Sequence, residues 1–176
     1  MNIFCLDRDP YTAATYMCDK HIVKMIIETC QILSCVVDER TPTSDRLGMT
    51  VSEEWNLPQY PKAHSKHPST LWAKQSLGNS KWLVKHLHGL VQEYTKRYEK
   101  KHKMDMYYKD YILLLEHCKF DNEKQTEFVQ AITNKDLHRE DPVEGYREYY
   151  NKEKSRFAKW KLGNVPYWFK NEYVPV

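Results

Sequence analysis

Hydrophobic positions recur at steps of three and four along most of this chain, and nowhere alternate with polar ones over a useful length. From Tyr11 to about Val37 there is no glycine or proline. Ala14, Met17, Cys18, Ile22, Met25, Ile26, Cys30, Leu33 and Val37 fall on one stripe, which predicts a long amphipathic helix. Asp9-Pro10 is its start: an aspartate caps free amides and a proline fits the first turn. His67-Pro68-Ser69 opens a second long helix to about Glu99, with Leu71, Trp72, Leu83, Leu87, Leu90, Val91 and Tyr94 as its buried stripe. Gly78 and Gly89 interrupt it and predict a kink or close packing.

Shorter helices are predicted at about Asp105–His117 and Glu123–Thr133, and from Asp141-Pro142 to about Trp160. Residues 38–67 collect breakers (Pro42, Gly48, Pro58, Pro61) and read as a long loop with one helical turn near Val51–Trp55. The tail from Gly163 to Val176 is aromatic and irregular. The expected fold class is all-α, two long helices packed with about three shorter ones, in a single domain spanning 1–176.

Composition narrows the function classes. At 176 residues and 41% hydrophobic the chain can bury a real core, so wholesale disorder is excluded. Its longest aliphatic runs, such as Ile112–Leu115, are far too short to span a bilayer, and the first residues lack the pattern of a secretion signal. A cytoplasmic protein with reduced cysteines is expected. The net charge of +3 conceals an asymmetry: residues 1–60 carry net −4 and residues 61–176 net +7. A basic C-terminal two-thirds suits a polyanion, DNA first; the plainer alternative is a solvated lysine-rich surface. Cys18 and His21 have ligand-like spacing, and Cys30 and Cys35 follow, but the four span too much of one helix to converge on one ion. The expectation is no metal and no cofactor, with the cysteines as core.

Three constellations carry candidate chemistry. In Cys18–Glu28, His21, Lys24 and Glu28 recur on one helix face, with Lys20 beside them and Gln31 one turn on. A carboxylate beside a cation in an otherwise apolar helix suits proton transfer; an ordinary exposed i, i+4 pair is the alternative. In His64–Lys74, a helix N-terminus gathers His64, His67, Lys66 and Lys74 with three hydroxyls, a phosphate-binding pattern or a decorated cap. From Tyr146 to Lys170, aromatic and basic residues interleave. Phe157 and Trp160 read as core, Trp168 and Lys170 as contacts to a duplex.

Around Asp19-Lys20-His21 and Glu28 the chain resembles the pyrimidine-dimer DNA glycosylase/AP-lyase family of bacteriophages and their bacterial relatives, as a divergent phage branch. That family's active-site helix carries an Asp-x-His triplet with the catalytic glutamate seven residues after the histidine, the spacing of His21 and Glu28. His67-Pro68 through Trp72 and Pro166–Lys170 are similar more loosely to a His-Pro start of a second helix and to an aromatic C-terminal segment. The resemblance implies an all-helical enzyme of DNA repair that removes damaged or modified bases. An N-terminal α-amine attacks the sugar C1′, a Schiff base forms and β-elimination nicks the strand. An α-amine suits this work because its pKa lies near ~8.

On that basis Glu28 is the expected acid/base and the amine of Met1 the nucleophile, with Lys24 as the alternative amine. His21 and Lys20 are expected to touch substrate, His64, His67 and Lys74 phosphates, and Trp168 and Lys170 the duplex. Two positions depart from the family. Asn2 stands where it has a threonine exposed by loss of the initiator methionine, and Ile27 where it has an arginine before the glutamate. A non-catalytic nucleic-acid-binding protein that keeps the fold is the competing expectation, and a metal-dependent enzyme built on Cys18 and His21 a third.

Overall fold

The computed structural model describes residues 2–42, 48–59 and 65–171. These form seven α-helices: α1 (Pro10–Tyr16), α2 (Asp19–Arg40), α3 (Val51–Glu54), α4 (Pro68–Gln75), α5 (Leu77–Tyr98), α6 (Tyr107–His117) and α7 (Pro142–Tyr149). Two 3₁₀ turns, Lys103–Met106 and Lys135–Leu137, and a π turn, Tyr150–Lys154, join them. No strand occurs among the described residues, so the chain is all-α. No helix there is long and apolar enough to cross a membrane.

The two long helices are each shorter than the hydrophobic stripe predicts. The first breaks at Met17-Cys18, both extended. The break is stabilised from a distance by Arg97 on α5, whose side chain is wholly buried. Its Nη2 donates to the Thr15 carbonyl, and its Nη1 to the Met17 carbonyl and the Asp19 carboxylate. Its Nε donates to Glu93. Carbonyls released by the missing helical turn thus regain donors. The apolar stripe runs through the break in phase, so periodicity cannot reveal it.

The second long helix breaks at Ser76, which caps α5 by accepting from Asn79 N. Here the chain after α6 packs back. Leu77 N donates to Asn122 O, and the Asn79 amide binds Thr126 through its backbone and hydroxyl. A Cβ on Gly78 would lie 2.3 Å from Gln125 N, so glycine alone allows this crossing.

The helix expected over Glu123–Thr133 is therefore not formed. That stretch is irregular because its backbone groups are claimed from outside, by Asn79, by Trp72 Nε1 at Glu127 O, and by the Tyr146 hydroxyl at Val129 O and Ala131 N. It buries Phe128 against Trp72 and Trp82. The loop after residue 38 behaves as expected at α3, where Thr50 and Glu53 make a capping box, although α2 first runs on to Arg40. The helix from Asp141-Pro142 is shorter than predicted: α7 widens into the π turn at Tyr150, and 155–171 are irregular.

Helix α5 lies at the centre and packs on α1, α2, α4 and α6. One contiguous core includes Ile22, Ile26, Leu33, Leu83, Leu87, Leu90, Tyr111, Tyr146 and Tyr150. The N-terminal arm, Ile3–Leu6, is part of it. Asn2 fixes the arm: its Oδ1 accepts from Ile3 N and Phe4 N while its Nδ2 donates to Ala131 O. Arg147 clamps the other end at Leu6 O and Asp7.

Candidate active site

The first three turns of α2 open onto a cavity of about 450 Å³. Lys20, His21, Lys24, Met25 and Glu28 form one wall, and His67, at the start of α4, joins them. The opposite wall comes from far along the chain: Ala131, Thr133, Tyr149, Lys154 and Phe157. Asn2 and Phe4 of the arm complete it.

Among the described residues, Glu28 is the one acid lining the cavity. Its side chain is 15% exposed, with Oε1 3.3 Å from Lys24 Nζ. Its Oε2 is buried and, among the described residues, has no hydrogen-bond partner. An orphaned buried acceptor costs free energy unless something else supplies a donor, and Glu28 brings one to the cavity wall. Lys24 is 62% exposed, a solvated partner of the carboxylate rather than a buried amine.

His21 is buried beneath the cavity floor. Its ring stacks on Phe4 with centroids 4.3 Å apart, meets Tyr150 and Phe157 edge-on, and shares a hydrogen bond through Nδ1 with the Tyr150 hydroxyl. Burial first, and then Lys154, Lys24 and Lys20, lower its pKa to about 3, which keeps it a neutral imidazole near neutral pH. Burial also raises the Tyr150 phenol well above its ordinary range, which keeps it a hydroxyl.

Three aromatic rings shape the cavity. Phe4 carries a left-handed backbone, φ +52°, unusual for a bulky residue. The Asn2 side-chain bonds and core packing hold it there, and it lies nearly parallel to both His21 and Tyr149. Two ammonium groups sit on the other rings, Lys154 over Tyr149 at 4.3 Å and Lys20 over Phe157 at 4.8 Å. The cavity therefore offers flat apolar surfaces, lysine ammonium groups and the carboxylate of Glu28. That combination suits a planar base on an anionic backbone.

A family model described as pyrimidine dimer DNA glycosylase matches residues 1–106, well over half of the chain. The chain belongs to the pyrimidine dimer DNA glycosylase family. Membership implies DNA as the substrate. No curated protein and no solved structure matches. The family match ends before the second wall of the cavity begins, so α2 lies within the matched segment while Tyr149, Lys154 and Phe157 lie outside it.

Of the residues expected from sequence, the cavity brings together Glu28, Lys24, His21, Lys20 and His67. His67 also caps α4, its Nδ1 accepting from Ser69 N. Lys74 is not with them. It is turned inward and buried, its ammonium held by Glu39 and the Ser65 carbonyl. Trp168 is also inward: it is 8% exposed, edge-on to Tyr16 and Tyr150 and covered by the Arg147 guanidinium. Lys170 is exposed on the tail, its backbone N–H bound to Asn151, and does not line the cavity. Met1 and His64 lie outside the described residues.

Sequence reasoning missed Phe4, Lys154 and the part played by Phe157. The aromatic–basic interleaving did flag the right stretch, but an α-helical count leaves Lys154 off the face of Tyr149, and it is the wider π turn at Tyr150–Lys154 that brings the two together. The cysteines do not gather. Cys18 and Cys30 are packed in the core, and among the described residues no three of His, Cys, Asp and Glu are placed to share a metal.

Proposed function

We propose that this protein is a DNA glycosylase for damaged or modified bases, with an amine nucleophile and Glu28 as its acid/base. The observation that carries the reading is the buried, unpaired Glu28 Oε2 in a base-sized aromatic cavity that the chain reaches at its second residue. In this reading the α-amine of Met1 attacks C1′ of the target nucleotide. The N-glycosidic bond breaks and the base leaves with a proton. Glu28 receives and returns protons as the sugar ring opens and the iminium forms. AP-lyase chemistry then follows by loss of the C2′ proton and departure of the 3′ phosphate oxygen. Lys24, 3.3 Å from Glu28, is the alternative amine.

The lysines at the rim, Lys20, Lys24 and Lys154, hold the flanking phosphates, and His21 supports the floor without carrying charge. His64, Trp168 and Lys170 remain candidates for contacts further along the duplex, and the exposed placement of Lys170 supports that role, whereas the ammonium of Lys74 is taken up by Glu39 and the Ser65 carbonyl.

Borohydride trapping on abasic-site DNA tests the reading. Wild type should give a covalent adduct, lost when the N-terminus is extended, and Glu28→Gln should bind without forming product. An adduct lost only on mutating Lys20 or Lys24 relocates the nucleophile. Binding with no adduct and no base release on any substrate refutes the catalytic reading in favour of a non-catalytic DNA-binding protein.

A further inference from the structure

On the flank of α2 beside the cavity mouth two large aliphatic side chains point outward. Val23 and Ile27 are each 43% exposed, where an ordinary solvated helix face would carry polar residues. They are four residues apart, so they meet as one ridge. Each is the immediate neighbour of a cavity residue, Val23 of Lys24 and Ile27 of Glu28. By helical geometry Ile27 lies about 100° around the helix from Glu28, and Lys20 and Lys24 share that flank. Scattered exposed aliphatics are ordinary on proteins. This pair is set apart by its place: a continuous apolar ridge beside a site whose lining also carries the cations Lys20, Lys24 and Lys154.

A stacked duplex cannot present a base to a carboxylate recessed to 15% exposure. The nucleotide must leave the stack, and the gap it leaves is filled most cheaply by apolar groups. We propose that Val23 and Ile27 form a wedge that enters the base stack beside the nucleotide held over the Glu28 cavity. The occupant of this surface is therefore duplex DNA, with Lys20 and Lys24 on the adjoining phosphates and the aliphatic ridge between base pairs. The proposal rests on the glycosylase reading for its substrate, but concerns how the duplex is opened and not how the base is cut.

The test uses Val23→Ala with Ile27→Ala. Both sites are exposed and alanine is the best helix former, so the fold is retained. The probe is a duplex with a tetrahydrofuran abasic analogue, which resists elimination, flanked by 2-aminopurine, whose fluorescence rises on unstacking. Wild type should raise the signal. The double variant should not, while its affinity for the corresponding single strand stays within about twofold of wild type. On a cleavable lesion the double variant should lose about ten- to hundredfold in rate in duplex and little when the lesion sits in a bulge. An unchanged fluorescence rise in the variant, no rise with wild type, or equal losses on duplex and bulge would each overturn the wedge. A wild-type rise lost in the variant, with no base released from any substrate, would leave the wedge standing and sink the catalytic reading.

Discussion

Replacing Arg97 by methionine removes the group that holds α1, α2 and α5 at one point. The guanidinium makes hydrogen bonds of 2.8 Å to Met17 O, 2.9 Å to Thr15 O, 3.0 Å to Asp19 and 3.1 Å to Glu93, with a side chain 0% exposed. Methionine fills much of the volume but donates nothing. Two carbonyls lose their donors at about 1–3 kcal/mol each, offset where water reaches them. Asp19 and Glu93, 22% and 10% exposed, recover part of their hydration. The expected net loss is about 3–5 kcal/mol, the range for breaking one partner out of a buried charge cluster. For a chain of this size that is a fall in Tm of about 6–20 °C. Urea unfolding followed by far-ultraviolet circular dichroism measures it. Arg97→Lys should fall between, keeping the charge without the fork. A cycle with Asp19→Asn should show coupling above about 1 kcal/mol. If Arg97→Met unfolds within 1 kcal/mol of wild type, the break at Met17-Cys18 is stabilised by something other than this cluster.

Other expectations follow from the same structure. Glu28→Gln should leave stability within about 1 kcal/mol of wild type, since the carboxylate is buried with one unpaired oxygen, and thermal melts check this beside the trapping assay. His21 and His86 have pKa values lowered to about 3 and about 4, below the unfolded value near ~6.5. The unfolded chain then binds protons that the folded one does not, so stability is intact above about pH 6.5 and falls with acid down to those values. The fall is at most about 1.4 kcal/mol per pH unit per histidine, and His86→Gln should flatten it in acid–urea titrations. Gly78→Ala, ordinarily stabilising in a helix, should here cost about 1–3 kcal/mol in chemical denaturation because its Cβ meets the Gln125 backbone. Lys74→Met should change stability and leave the salt dependence of DNA binding unaltered, because its ammonium is engaged with Glu39 and the Ser65 carbonyl.

What the sequence revealed and what it hid divide along the range of the interactions involved. The stripe of His21, Lys24 and Glu28 was legible because seven residues of one helix return to one face, whatever packs elsewhere. The start of α1 was legible because Asp9 and Pro10 act locally. The break after Tyr16 was not, because its donor is Arg97, 80 residues away from the Met17 carbonyl that it binds. Glu123–Thr133 carries enough apolar residues to pass for a weak helix, yet its backbone is spoken for by Asn79 and Tyr146. Trp168 sits in an irregular tail, where nothing periodic distinguishes a buried ring from an exposed one; its partners Tyr16 and Tyr150 decide the matter.

The α2 wall of the cavity and the wall that begins at Ala131 are separated by more than a hundred residues of chain and meet through long-range contacts, such as His21 on Phe157 and the bond from Asn2 to Ala131. On the proposed function, Glu28 alone is therefore not enough to act on a base. A nascent chain, or a proteolytic fragment ending before Tyr149, holds the carboxylate and the lysines of α2 but no enclosure to receive a base. On the same reading the site is complete only once both walls are in place. For a protein whose chemistry would be damaging if released indiscriminately, incomplete copies are expected to be harmless.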